Sequence, residues 1–213
     1  MRQALRHPAT WWALLLVGLL PFFSGVVLTL QDQLGPNPTE YLTRSTGDWT
    51  LRGLCVVLAV SPLRAWSGWP EWLRFRRMLG LLVFFYALLH VTCYAWFDMG
   101  FEVADIVTDI PKRPFILVGF AALLLLMAMA LTSFNGAVRW LGAARWQSLH
   151  RSVYAVAVLA VLHFWWMRAG KNNLDEVAVY AAILGLLLAW RVWRYGQRRQ
   201  AALRAAKGSD QLL

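Results

Sequence analysis

Between His150 and Met167 the chain carries a single charged residue, Arg151. About 20 residues rising 1.5 Å each cross the roughly 30 Å of bilayer hydrocarbon, so an apolar run of this length reads as a membrane-spanning helix. Five further runs read the same way, and the spans are predicted at about 11–30, 49–66, 78–97, 114–132, 149–167 and 177–195. Hydrophobic residues make up 59% of the chain and charged residues 15%, against about 25% charged in soluble domains. The fold predicted is an all-α integral membrane protein, a six-helix bundle. Its 213 residues leave no room for a separate soluble domain, so residues 1–213 form one domain.

Particular residues set the details. The first run follows Arg2 and Arg6 as a signal peptide would, but it is longer than the usual h-region of about 7–15 residues and lacks an A-x-A site. It is read as a retained span, kinked at Pro21, with neighbouring helices re-satisfying the backbone. Gln31 to Asp48 is expected to be a polar loop. The second span has its uncharged heart at Gly53–Leu63, between Arg52 and Arg64, and is expected to end at Ser61-Pro62. Phe115 to Thr132 is uninterrupted. No acidic residue is expected inside a span.

Charge then orients the bundle. Arg2 and Arg6 lead the chain, and acidic residues dominate the loop holding Asp32, Glu40 and Asp48. Basic residues follow at Arg64, Arg74, Arg76 and Arg77, then acidic ones at Asp98, Glu102, Asp105 and Asp109. Arg139 and Arg145 mark the next loop. Arg168 and Lys171 balance Asp175 and Glu176, and the tail carries Arg191, Arg194, Arg198, Arg199, Arg204 and Lys207 against Asp210. Basic excess on alternate loops places both termini in the cytoplasm by the positive-inside rule. The thirteen tryptophans lie at span ends or in loops, as interfacial anchors do. The formal charge of +10 is therefore topological; the basic loops face lipid, and nucleic acid is excluded as a partner. Cys55 and Cys93 lie inside apolar runs and read as small core residues rather than a disulfide or redox motif.

Three of the four histidines lie in or at the ends of apolar runs. Lipid gives an imidazole no partner, so each needs a reason to be there. Counted from the cytoplasmic side, His90 lies twelve residues beyond Met78, about 18 Å deep, and His163 fourteen beyond Leu149, about 21 Å. The two depths agree within about one turn, in the periplasmic half. Neutral imidazoles in a dry bundle suit the axial positions of a haem iron, and such a pair on two helices running the same way could clamp one porphyrin. Ala87 and Ala160, three residues before each histidine, and Gly80 leave space for a flat macrocycle. Arg168 and Lys171 could pair with propionates or serve as ordinary interface cations. The competing reading makes each histidine a hydrogen-bonded core residue joining helices. His150 sits near the cytoplasmic interface, where either reading holds, and no other histidine shares its depth. His7 is read as solvated.

There is no internal repeat, no Gly-rich phosphate loop, no carboxylate pair suited to acid–base work and no Rossmann unit. An electron-transferring chain of this kind takes both donor and acceptor from outside.

Arg76-Arg77-Met-Leu-Gly-Leu, Tyr86-Ala-Leu-Leu-His90, Arg113-Pro114 and Trp146-Gln-Ser-Leu-His150-Arg-Ser-Val-Tyr154, followed by His163, closely resemble the MsrQ (YedZ) family of the ferric-reductase-like transmembrane group. The resemblance runs from the first span to the sixth. It implies a haem b protein of the bacterial inner membrane that passes electrons to MsrP, a periplasmic molybdopterin methionine sulfoxide reductase, for repair of oxidised periplasmic proteins. It further implies FMN as a cofactor and electrons drawn from the quinone pool or a cytoplasmic flavin reductase. Carried over, His90 and His163 ligate haem and His150 is the third family histidine. The wider group commonly has two histidines on each of these two helices; Arg76/Arg77 replaces the fourth here, which makes Arg77 a cofactor-binding candidate beside a second haem. The chain itself would do no bond-making chemistry. The alternatives are a stand-alone ferric or quinone reductase and a haem-free membrane scaffold or transporter.

Overall fold

Prolines and polar caps mark where the helices begin. The computed structural model describes residues 2–170 and 174–210, with side chains as far as 204. Lys171 and the side chains of Lys207 and Asp210 thus lie outside the described residues. Those described form the helices α1 (Arg2–Arg6), α2 (Pro8–Leu30), α3 (Pro38–Ser67), α4 (Arg76–Cys93), α5 (Val103–Lys112), α6 (Pro114–Leu131), α7 (Asn135–Leu141), α8 (Ala143–His150), α9 (Val153–Ala169) and α10 (Asp175–Asp210). A 3₁₀ turn, Pro70–Phe75, leads into α4, and a π-helical turn, Tyr94–Asp98, prolongs it. Pro8, Pro38 and Pro114 open their helices, where a missing N–H costs no hydrogen bond. His7 is not merely solvated: its Nδ1 accepts the Ala9 N–H at 3.1 Å and caps α2.

Among the described residues, five helical stretches are long and apolar enough to cross a membrane: Pro8–Leu30, Pro70–Asp98, Pro114–Leu131, Ala143–Ala169 and Asp175–Arg204. They are the first and the third to sixth spans expected from the sequence, with most ends agreeing within a few residues and the start of the third and the end of the sixth differing by two turns or more.

The second region departs from expectation. Gln31–Asp48 is not all loop: α3 begins at Pro38, with the Asn37 side chain accepting the Glu40 N–H at 3.3 Å. The misreading followed composition, since the segment is polar. Its charges, however, recur at four-residue intervals: Glu40, Arg44, Asp48 and Arg52 form one stripe of alternating sign, with an ion pair between Glu40 and Arg44. Such spacing supports a helix. Asp48 therefore lies inside a helix rather than in a loop. Nor does Ser61-Pro62 end α3. The helix absorbs one lost backbone bond and runs on to Ser67, where Gly68, at φ 69°, closes it by donating its N–H to the Arg64 carbonyl. The acidic loop after span three likewise contains the short helix α5.

Packing makes two helix pairs, α3 against α4 and α6 against α9, with α10 laid across α3 and α9. Their shared core is built on Leu54, Leu58, Val83, Val156, Ala157 and Leu184. Cys55 and Cys93 are free thiols as expected, but only half-buried, and Cys55 packs against the core. α2 rests on α4, where the bare Cα of Gly18 admits Leu82; a Cβ there would lie 2.5 Å from Leu82 Cδ1. The Pro21 kink is repaired from α4. The Tyr86 hydroxyl accepts the Phe22 N–H at 3.2 Å and donates to the Gly18 carbonyl at 2.8 Å, bridging the two groups that a straight helix would join.

Candidate functional site

The histidines expected at one depth meet. The rings of His90 on α4 and His163 on α9 stand 6.1 Å apart between centroids, with their planes at 80°. Each ring is tied at the back to a third helix. His90 Nδ1 lies 2.9 Å from the Thr43 carbonyl of α3, and His163 Nδ1 lies 2.6 Å from the Phe115 carbonyl of α6. A carbonyl only accepts, so in the neutral ring Nδ1 carries the proton and donates it, leaving the Nε2 lone pair free. That is the tautomer a metal takes, and the carbonyl bond increases the ring's basicity.

Such a pair suits one kind of metal. Among the described residues no cluster of three or more His, Cys, Asp or Glu side chains could hold a bare ion, which ordinarily needs at least three protein ligands. Two imidazoles suffice where a porphyrin supplies the equatorial nitrogens. A metal–nitrogen bond is about 2.0–2.1 Å, so rings whose centroids stand 6.1 Å apart are close enough for both to hold one iron. The donor set therefore fits haem.

Polar side chains link α10 to α9 and to α3. Arg168, the one buried charged residue among those described, pairs with Glu176 at 2.8 Å and lies over Phe164, yet its buried Nε has no partner. An orphaned guanidinium N–H beside a haem site is suited to a propionate. Arg52 donates to the Tyr180 hydroxyl at 3.0 Å and stacks on Trp49. Asp48 lies within electrostatic reach of Arg52, Glu176 and Arg168. A cleft of about 590 Å³ between α2 and α3 is lined by the whole stripe from Glu40 to Arg52, with Tyr41 and Trp49.

His150 stands apart from this centre. It stacks on Trp146 at 4.0 Å and its Nε2 lies 3.1 Å from Thr132 Oγ1. The Thr132 hydroxyl gives its own proton to the Ala128 carbonyl at 2.8 Å, so it accepts from His150 and Nε2 is the protonated nitrogen. Of the two arginines, Arg76 is half-buried and acts on His150, while Arg77 is exposed. Ala87 and Ala160 both belong to the apolar core, and open space surrounds Gly80.

Beyond the pair, Tyr94 donates to Asp109 Oδ2 at 2.7 Å, and Arg113 donates to Oδ1 at 2.7 Å, pinning α5 over the end of α4. The Arg113 hydrogen bond, helped by Tyr94 and Lys112, holds the Asp109 carboxyl below the ordinary value of 3.8.

Sequence reasoning missed Thr43, Phe115 and the stripe on α3. Gly47 and Gly119, one turn after the two carbonyls, were the available signals.

The model of the family described as "Ferric reductase like transmembrane component" matches residues 46–161. The chain is 57% identical to the "Protein-methionine-sulfoxide reductase heme-binding subunit MsrQ" of Polaromonas naphthalenivorans, over 96% of this chain and 94% of that one. It is 50% identical to the protein of the same name from Herminiimonas arsenicoxydans, over 92% and 90% of the two chains. The Bordetella pertussis protein is also 50% identical, over 89% and 91%. No solved structure matches.

Proposed function

Because the chain belongs to the ferric-reductase-like transmembrane family, and within it to the heme-binding subunits of protein-methionine-sulfoxide reductase, we propose that it holds one haem b between His90 and His163 and carries electrons across the bacterial inner membrane to MsrP, the periplasmic methionine sulfoxide reductase. The observation that carries this reading is the facing imidazole pair, 6.1 Å apart, with both Nδ1 atoms bonded to backbone carbonyls. Bound there, haem would supply a one-electron iron couple. The protein's part is to hold the ligand rings in the metal-binding tautomer, to exclude water with apolar side chains and to hold a propionate on Arg168.

In this reading α3 is a sixth span. Its charged first half lines the cleft and its second half buries Leu51, Leu54, Val57, Leu58 and Val60. Both termini are cytoplasmic, and the pair lies toward the face bearing the acidic loops, nearest the acceptor. Reduction of the sulfoxide takes place on the partner. The donor is the quinone pool or a cytoplasmic flavin reductase. The α2–α3 cleft has the volume of a small-ligand site and supports the quinone. FMN would meet the basic inner loops, at Arg76, Arg77, Arg139 and Arg145; Arg74 is already spent on the carbonyls of Leu5 and Arg6.

The test is an absorption spectrum of protein purified after haem-replete expression, oxidised and then dithionite-reduced. A Soret band with a low-spin reduced spectrum is expected. Its absence ends the haem reading and leaves a scaffold whose histidines only join helices.

A further inference from the structure

The two ligand rings are seated by the same device, used twice. On α3 the carbonyl that takes the His90 proton belongs to Thr43, and the residue one helical turn on is Gly47. On α6 the carbonyl that takes the His163 proton belongs to Phe115, and one turn on stands Gly119. In a helix residues i and i+4 share a face, so the bare Cα and the accepting carbonyl look at the same spot. A Cβ on Gly47 would lie 3.1 Å from His90 Cε1 and 3.2 Å from its Nδ1. A Cβ on Gly119 would lie 2.8 Å from His163 Nδ1 and 2.9 Å from its Cε1. The sequence spacing repeats as well: Gly47 precedes His90 by 43 positions and Gly119 precedes His163 by 44. The pairs α3/α4 and α6/α9 are thus two copies of one ring seat, although the sequence contains no overt repeat.

We infer that Gly47 and Gly119 are positioning residues: each lets its helix approach the back of a histidine closely enough for the carbonyl one turn earlier to capture Nδ1–H, and together they fix the tautomer and the crossed orientation of the two ligand planes. A methyl group at either position pushes the ring away from its carbonyl and rotates it. Nothing else in the site explains two glycines here, since neither stands at a turn or a positive φ. The seats are unequal. Gly119 leaves less room than Gly47, and its carbonyl bond is the shorter, 2.6 Å against 2.9 Å. The His163 seat is therefore the more sensitive of the two.

This inference rests on the haem reading, and its test separates the two. Full-length protein, purified after haem-replete expression, is measured as wild type, Gly119→Ala, Gly47→Ala and Gly185→Ala. Gly185 is the control, a glycine of α10 with open space around it. Each is assayed for haem per polypeptide, for the ferric low-spin electron paramagnetic resonance signal and for the midpoint potential. Crossed imidazole planes give a strongly anisotropic low-spin signal, and planes turned toward parallel give a less anisotropic one. Gly119→Ala is expected to lose the anisotropic signal, by conversion to a less anisotropic species or by loss of haem. It should also raise the potential of the haem it retains, because a ring without its carbonyl bond is a weaker donor to ferric iron. Gly47→Ala should move both quantities the same way by less, and Gly185→Ala should move neither. Gly119→Ala with the wild-type signal and potential overturns the inference while leaving the haem reading intact. If Gly119→Ala does not fold, an unshifted Gly47→Ala overturns it equally. A wild type without any low-spin haem signal removes the haem reading and this inference together.

Discussion

The two facing histidines and the lone third one are built in opposite senses. His90 and His163 each give the Nδ1 proton to a main-chain carbonyl, which leaves Nε2 as the nitrogen with the lone pair, and each has a second imidazole beside it. His150 gives its Nε2 proton to the Thr132 hydroxyl, lies flat on Trp146 and has no second imidazole near it. One arrangement readies a ring for a metal; the other spends the ring on helix packing. A histidine in a membrane helix is thus uninformative until the partner of each ring nitrogen is known.

The largest expected effect tests that contrast directly. His90→Ala and His163→Ala should each abolish the low-spin haem signal, because each would remove one of the two rings proposed to hold the haem, while His150→Ala should spare it. Spectra of the three variants at matched yield are the measurement; a His150→Ala protein that loses the same signal would break the comparison. Next comes Arg168, whose orphaned Nε is offered to a propionate. A hydrogen bond to a charged group contributes about 1.5–3 kcal/mol, so Arg168→Gln should bind haem about 10–100-fold more weakly. Haem transfer to apomyoglobin measures this, and an unchanged transfer rate would free Arg168 from that role.

A smaller effect concerns the scaffold around the facing pair. Tyr86 lies one turn before His90 on α4 and bridges the broken backbone of α2 with its hydroxyl. Tyr86→Phe orphans the Phe22 N–H and the Gly18 carbonyl, at a cost of about 1–3 kcal/mol. Unfolding of the variant in mixed micelles should begin earlier by that amount, with the haem spectrum unchanged.

The same contrast explains what the sequence disclosed. Spans were legible because charge is scarce over 20-residue runs, and the meeting of His90 with His163 followed from counting residues along two parallel helices. The need for help at Pro21 could be argued, but not that Tyr86 would supply it, since that pairing joins positions 64 apart in sequence. α3 was misread at its start because polarity was weighed above the four-residue spacing of Glu40, Arg44, Asp48 and Arg52. The proton partners of the rings were illegible for a general reason: a carbonyl has no side chain to announce it. Only the glycine beside each carbonyl left a trace.

The smallest expected effect is a pH dependence confined to α5. Asp109 holds α5 to α4 and α6 through Tyr94 and Arg113, and the Arg113 hydrogen bond keeps its carboxyl below the ordinary value of 3.8. A carboxyl whose value is lowered on folding stabilises the folded arrangement fully above its ordinary value, and that contribution is lost as pH falls through the lowered one. α5 should therefore stay seated near neutral pH and loosen only when the solution is taken well below pH 3.8. Amide exchange across Val103–Lys112 during acid titration reports this directly. In Asp109→Asn the exchange of α5 should be faster than wild type at neutral pH and should lose its acid step. An identical acid step in the variant would assign the transition to Glu102 or Asp105 instead. Asp109 is half-buried and its partners, Tyr94 and Arg113, flank α5, so the change should stop at α5 and leave the histidine pair spectroscopically untouched.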